Sequence, residues 1–474
     1  LGYSAAYWIQ LVSFALLGFG VGAAMTAASS AMLLHAPPDR AGMAASIEEV
    51  SYELGGAFGI AVLGKGTVGT EVLRLIAEFS SNLEHRIGGP IEVRGVAVSS
   101  VDKHKNAPEA QGLYLTDNAD ELVERDDVDV VVELVGGENG IAKETIELAL
   151  DNGKDVVTAN KALLAVHGQA LAELAEGLGR TLRFEAAVAG GIPVIKAMTE
   201  SLAGNEIRRV MGVMNGTCNY ILTRMESAGL PYETVFEEAR QLGYLEADPT
   251  LDVGGIDASH KLAILAAIAF GTRPTFDAVE IEGIERVSID DIRRAADMGY
   301  RIKLLGVAQM TGRGLEQRMS PCLVPCDSPL GQLEGGTNMV VIEGDAVGQI
   351  VLRGAGAGEG PTASAVLSDI IEIARGVRLP VFGQPATTLG SPQPARTAVP
   401  AAYYLRLTLA DKPGALAKVA SVLGDAGISI DRMRQYGHHA GEAPVLIVTH
   451  KTTPEAIDFA IEALASASLD PSSQ

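Results

Sequence analysis

Apolar and polar positions are distributed unevenly along the chain. Residues 3–34, YSAAYWIQLVSFALLGFGVGAAMTAASSAMLL, form one apolar and small-residue run, and the first 38 residues contain no Asp, Glu, Lys or Arg. The run exceeds the ~20 apolar residues that span a bilayer. Tyr3, Tyr7 and Trp8 stand near one end as interfacial aromatics do. The pairs Gly18/Gly22 and Gly20/Ala24 are spaced for close helix packing. No basic region precedes the run, so a signal peptide is not expected. The pattern predicts an N-terminal hydrophobic helix and sets residues 1–56 apart. From Gly59 the period changes. Gly59–Leu63 is a β-type run, followed by the helical TEVLRLIAEFSSNLEHRI. Further strand-type runs occur at Val93–Ser99, Val128–Val135 and Asp155–Thr158, with helical segments between them. Such alternation predicts a parallel α/β sheet over residues 57–180. Residues 181–375 mix strands with long helices, an α+β pattern. Residues 376–401 hold five prolines and few charges, which predicts an extended linker. A compact tail, 402–474, follows.

Composition narrows the function classes. With 37 Lys+Arg against 59 Asp+Glu, the formal net charge is −22. That argues against a nucleic-acid partner, which needs a basic footprint. Three cysteines in 474 residues exclude a disulfide framework and fit a reducing compartment. The portion after residue 56 is therefore expected in the cytoplasm, with membrane association if residues 1–56 form a helix.

Gly64-Lys65-Gly66-Thr67-Val68-Gly69 follows the first predicted strand and opens a helix. In that context GxGxxG, whose plainer alternative is a glycine-rich βα turn that holds no ligand, reads as a dinucleotide-binding loop. Its glycines allow a tight turn, close approach to a pyrophosphate and close helix packing, and the helix start faces the phosphates. The second strand ends at Val98-Ser99-Ser100 without a carboxylate, and Lys103 and Lys105 lie just beyond. This favours NADP, although the nearby Asp102 keeps NAD open. Two more strand ends run into Gly136-Gly137 and into Ala159-Asn160-Lys161. Ligands bind outside such ends, which places Lys161 within reach of cofactor or substrate. A surface lysine at a helix start is the plainer alternative.

The densest chemistry lies in GYLEADPTLDVGGIDASHKLAILAAIAF, residues 243–270. Glu246, Asp248, Asp252 and Asp257 precede or open a helix. Asp257 and Lys261, four apart, share one face of it. The helix is apolar around its circumference, so it should be buried, and a lysine there needs a partner or a purpose. Acids could hold an ammonium group while the lysine moves a proton. An ordinary i,i+4 ion pair is the competing reading. The stretch FEAAVAGGIP, 184–193, offers Glu185 and carbonyl oxygens to a hard cation. Asn215–Asn219 reads as a substrate-facing loop, and residues 354–362 could place backbone against the cofactor. Neither the Cys322/Cys326 pair nor the eight histidines form a zinc pattern.

Together GKGTVGTEVLRL, TANKALLA, FEAAVAGGIPVIK, MNGTCNYIL, GYLEADPTLDVGGIDASHK and GAGAGEGPTASAV resemble homoserine dehydrogenases, in the long bacterial form with a C-terminal ACT domain. The motifs cover about residues 57–375. The resemblance implies a Rossmann-type NAD(P)-binding domain (57–180), an α+β catalytic and dimerisation domain (181–375), a linker and an ACT-like βαββαβ domain (402–474). It implies NAD(P)-dependent interconversion of L-homoserine and L-aspartate 4-semialdehyde, on the route to threonine, methionine and isoleucine. Lys261 would be the catalytic proton donor and acceptor, with Asp257 beside it, and Glu246 and Asp257 would bind homoserine. Lys161 would contact cofactor and substrate and is a second acid/base candidate. Gly64, Gly66, Thr67, Val68, Gly69, Gly243 and Gly358 would contact the nucleotide. Glu185 with the carbonyls of Val188, Gly190 and Ile192 would hold a sodium ion. A homo-oligomer, dimer or tetramer, and a threonine effector at the ACT domain are also implied. The family continues into a last strand where this sequence reads Leu469–Gln474, so a shortened regulatory domain is expected.

Residues 1–62, through PPDRAGMAASIEEVSYELGGAFGIAVLG, resemble late membrane helices of a major-facilitator efflux transporter. One or two such helices cannot build a transport pathway, so a fused fragment or an anchor is expected. The two patterns share Gly59–Gly64, which we assign to the strand because the glycine loop needs it. Another Rossmann amino-acid dehydrogenase and a catalytically inactive nucleotide- and amino-acid-binding sensor are the alternatives. The intact acid–lysine set argues against the sensor.

Overall fold

The computed structural model describes residues 57–245, 248–395, 400–437 and 441–468. The expected hydrophobic, transporter-like segment 1–56, the substrate residue Glu246 and the final six residues lie outside the described residues. Among the described residues no helix is long and apolar enough to cross a membrane.

Six parallel strands form the first sheet: β1 (Phe58–Leu63), β2 (Ile91–Ala97), β3 (Leu115–Thr116), β4 (Val130–Glu133), β5 (Asp155–Thr158) and β6 (Leu182–Arg183). Their order is β3-β2-β1-β4-β5-β6. Helices α1 (Thr67–Glu78), α2 (Ile141–Asp151) and α3 (Lys161–Gly177) cross between strands. Ile60, Ala61 and Val62 are fully buried, as strands of a parallel sheet covered on both faces must be. Gly59–Leu63 is thus the first strand of the nucleotide fold. The order reverses between β1 and β4, where the crevice for a ligand opens.

The second sheet has the order β12-β11-β7-β9-β10-β8. Its strands are β7 (Ile207–Val213), β8 (Glu280–Ile281), β9 (Tyr300–Thr311), β10 (Gly314–Pro325), β11 (Thr337–Gly344) and β12 (Gly348–Ala355). All pairings are antiparallel except that of β8 with β10. Helices α4 (Gly216–Ala228) and α5 (Ile256–Phe270) pack on it, and α6 (Ile289–Asp297) carries a Ser288/Asp291 capping box. Every residue of α5 from Ala258 to Ile268 is buried, as its all-round apolar sequence predicts. After β12 the chain turns into α7 (Glu359–Ala374), which returns to the first sheet. Its Ala363, Val366 and Ile370 share a core with Ile60, Val62, Val130 and Val132.

The described part of the proline-rich segment expected as a linker packs on the core instead, through Val381, Phe382, Ala386 and Leu389. Phe382 is fully buried, with its ring 5.5 Å from that of Phe184. Burying such large apolar groups outweighs the extended bias of the prolines. The C-terminal unit comprises β13 (Tyr404–Ala410), α8 (Ala415–Asp425), β14 (Ile430–Gln435), β15 (Glu442–Thr449) and α9 (Pro454–Ser468), with antiparallel order β13-β15-β14. Among the described residues this is βαββα; residues 469–474, where the shortened tail was expected, lie outside them. The unit docks on α6, where Arg406 Nη1 is 2.6 Å from Asp291 Oδ2 and the Tyr404 hydroxyl donates to Asp291 Oδ1 at 3.1 Å.

Candidate active site

The glycine loop is built as the sequence predicts, with a different constraint on each glycine. Gly64 has φ +95°, and a Cβ there would lie 2.9 Å from the Leu134 carbonyl oxygen. A Cβ on Gly69 would run into the carbonyl oxygen of Gly64, so α1 packs onto the loop only with glycine there. Gly66, the N-cap of α1, has no neighbour within 4 Å of its Cβ position. That open flank lies at a helix start, where amides lack intrahelical partners, and fits a pyrophosphate. Lys65 is not free for phosphate: its Nζ lies 2.6 Å from Glu109 Oε1.

Glu133 ties the next two strand ends together. It is fully buried. Its Oε1 accepts the amides of Val135 and Gly136, at 2.8 and 2.9 Å, and its Oε2 accepts the Thr158 hydroxyl at 2.6 Å. Asn160 caps α3 by accepting the Leu163 amide at 3.1 Å and donates to the Gly137 carbonyl at 2.7 Å. This bracket delivers Lys161 to the crevice.

Across the crevice stands α5. Lys261 Nζ donates to Asp257 Oδ2 at 2.7 Å and to the Met214 carbonyl at 2.9 Å. Lys161 Nζ approaches Asp257 Oδ1 at 3.1 Å. One carboxylate therefore holds two lysines from opposite domains. Burial works against the charge on Asp257, but the ammonium groups of Lys261 and Lys161 outweigh it and hold the carboxyl well below the usual carboxylate range. Asn215 caps α4 through the Cys218 amide and bridges Asp252 Oδ1 and Asp257 Oδ2, at 2.9 and 3.1 Å. Cys218 is no nucleophile, because burial and the Asp252 and Asp257 carboxylates push its thiol up.

The three described acids of that stretch, Asp248, Asp252 and Asp257, do not form one cluster. Asp257 touches the lysines, and Asp252 is one amide removed. Asp248 is exposed and accepts the Thr250 amide and hydroxyl at 3.1 and 2.6 Å. Gly243, with φ +77°, has open space around it. Gly358, with φ +110°, caps α7.

Glu185 is buried, and its two oxygens accept the amides of Ile195 and Lys196, both at 2.9 Å. Burial, reinforced by Asp369, pushes its carboxyl up to about 7. Ala189 and Gly190, at φ +57° and +43°, turn the following loop back against residues 355–357. The Ile192 carbonyl accepts the Val194 amide at 2.7 Å. Among the described residues no group of three or more His, Cys, Asp or Glu is placed to share a metal. A cleft of about 760 Å³ lies elsewhere, between the C-terminal unit and the second sheet, and contains none of these side chains.

Sequence reading missed Glu133, Asn160 and the Met214 carbonyl. A lone carboxylate inside the apolar run VVELV was the one available signal for Glu133.

Comparison with known proteins agrees with this geometry. Residues 64–185 match the family model for the NAD-binding domain of homoserine dehydrogenase, 193–371 that for homoserine dehydrogenase, and 403–467 that for the ACT domain. A homoserine dehydrogenase of Corynebacterium glutamicum is 44% identical over 421 residues, 86% of this chain and 93% of that one. The crystal structure of a homoserine dehydrogenase from Thiobacillus denitrificans has TM-score 0.82 and 40% identity, covering 87% of this chain and 95% of that one. A hyperthermophilic archaeal homoserine dehydrogenase in complex with NADPH has TM-score 0.58 and 29% identity, covering 68% of this chain and 99% of that one.

Proposed function

The chain belongs to the homoserine dehydrogenase family, and from that premise we propose how its residues divide the work. It is an oxidoreductase with a nucleotide-binding domain, a catalytic domain and an ACT domain. Its reaction interconverts L-homoserine and L-aspartate 4-semialdehyde. The dinucleotide, when bound, supplies or accepts the hydride. The open flank of Gly66, with Thr67 and Val68 at the helix start and the tight packing at Gly64 and Gly69, suits its pyrophosphate. Gly243 and Gly358 would hold the nicotinamide end. The absence of a carboxylate at residues 98–100 favours NADP.

Lys261 moves the proton at the substrate oxygen. As an ammonium it donates to the forming alkoxide; after losing its proton it accepts one from the hydroxyl. Asp257 fixes its position. Lys161 shares that carboxylate and brings a second positive charge to the oxygen and the cofactor. Glu246 would take the substrate ammonium group. The observation that carries this reading is the single carboxylate between two lysines, one just past the end of β5 in the first sheet and one from α5 of the other domain. General acid–base catalysis contributes roughly 10²–10⁴ in rate. Lys261→Ala should therefore lower kcat by about that factor at unchanged nucleotide affinity. Near-normal turnover in the folded variant would defeat the assignment.

Glu185 and the carbonyls of Val188, Gly190 and Ile192 would offer oxygen ligands only, which suits a hard cation such as sodium. Bound there, the ion would brace the loop beside the start of α7. The ACT unit would bind an amino-acid effector, threonine in this reading. The enzyme would act as a cytoplasmic homo-oligomer.

A further inference from the structure

Lys303 is a buried cation outside the constellation described so far. It lies on β9 and is 1% exposed. Its ammonium donates to Asn219 Oδ1 at 2.9 Å and to the carbonyl oxygen of Leu333. Both acceptors are neutral. The charges that act on it are those of Glu226, Arg301 and Glu334, and Arg301 engages both acids, at 3.1 and 3.2 Å. Burying an ammonium without a carboxylate of its own is costly. A methionine would fill the space without that cost, so the position calls for an account of what the three donors hold.

They hold a turn. Asn219, itself fully buried, passes the link on: its Nδ2 donates to the Gly335 carbonyl at 2.7 Å. Leu333 and Gly335 are thereby fixed from one point. Next to them, a Cβ on Gly336 would lie 3.3 Å from Tyr244 Cε1. The Tyr244 ring stacks on Tyr220, centroids 4.5 Å apart and planes 13° from parallel. The Tyr244 carbonyl accepts the Thr217 hydroxyl at 2.9 Å. Tyr244 follows Gly243 and leads into Glu246.

We infer that Lys303 is a positioning residue for substrate binding: through Asn219 and the turn 333–336 it seats Tyr244, and so holds residues 243–245 in place. The inference rests on the reading that this stretch contacts homoserine and nicotinamide. It differs from a general stabilising role because the links converge on one residue of the site.

The test is a double-mutant cycle on the full chain, measuring homoserine oxidation at saturating nucleotide. Lys303→Met and Tyr244→Ala should each raise the KM for homoserine roughly tenfold, the order expected for losing two hydrogen bonds at Lys303 or an aromatic stack at Tyr244, with kcat within about twofold. The double variant should do no worse than the worse single one, because neighbours in one chain of contacts are not additive. Asn219→Asp gives Lys303 a carboxylate but removes the donor to Gly335, and should reproduce the KM rise even if Lys303→Met folds poorly. Unchanged KM in Asn219→Asp, or additive effects in the cycle, would overturn the inference. Glu246→Gln separates the two levels. If it leaves KM unchanged, the substrate assignment of this stretch fails; if it raises KM while Asn219→Asp does not, only the role of Lys303 fails.

Discussion

Asp257 is the residue on which the site turns. Burial alone would raise its carboxyl, yet the two lysines hold it well below the ordinary range. A group whose pKa is depressed on folding adds stability above its unfolded value and loses it as pH falls toward the folded one. The stability difference between wild type and Asp257→Asn should thus be constant from about pH 8 to pH 5. It should shrink only below about pH 4, the unfolded aspartate value. Thermal denaturation of both proteins across that range checks the sign; a difference already shrinking at pH 6 would contradict the ion triad. The Asp257–Lys261 half of the triad was legible in the sequence, because a helix places i and i+4 on one face. The Lys161 half was not legible as a contact. It joins strand-end and helix-start residues of different domains, and topology rather than spacing sets that distance. Asn215 shows the same limit: its loop was readable as polar, but not its amide bridging two acids.

At the scale of elements, the glycine loop separates function from packing. At Gly66 a Cβ meets nothing within 4 Å, so with Gly66→Ala stability should hold while the nucleotide KM rises at least tenfold. Gly69→Ala drives a methyl into the Gly64 carbonyl and should cost about 1–3 kcal/mol of stability, as overpacking does. Equilibrium unfolding and nucleotide titration on the two variants distinguish these outcomes; equal effects on both readouts would remove the distinction. The strand–loop–helix order was legible because a short continuous apolar run gives way to period 3.6 at the glycines. The packing of the proline-rich segment was not, since its few large apolar residues, Phe382 above all, are isolated in sequence and find their partners only in the fold.

For the whole molecule, the ACT unit meets the catalytic domain at a helix cap. Asp291 closes the cap of α6 through Ser288 and also receives Arg406 and the Tyr404 hydroxyl. Arg406 is half-exposed, so the pair is weak and salt-sensitive. Arg406→Ala should leave basal kcat within about twofold and speed amide exchange in β13 and at the start of α6. Protection unchanged in both segments would show that the docking does not depend on this pair. A different consequence follows from α7. The segment lies far along the chain from the nucleotide sheet, yet it forms part of that sheet's cover, and β6 also comes from beyond residue 180. The cofactor half is therefore no cassette that could be cut out and exchanged at one seam. An engineered swap of nucleotide specificity has to carry residues 182–183 and 359–374 along, or leave the recipient sheet with a bare apolar flank.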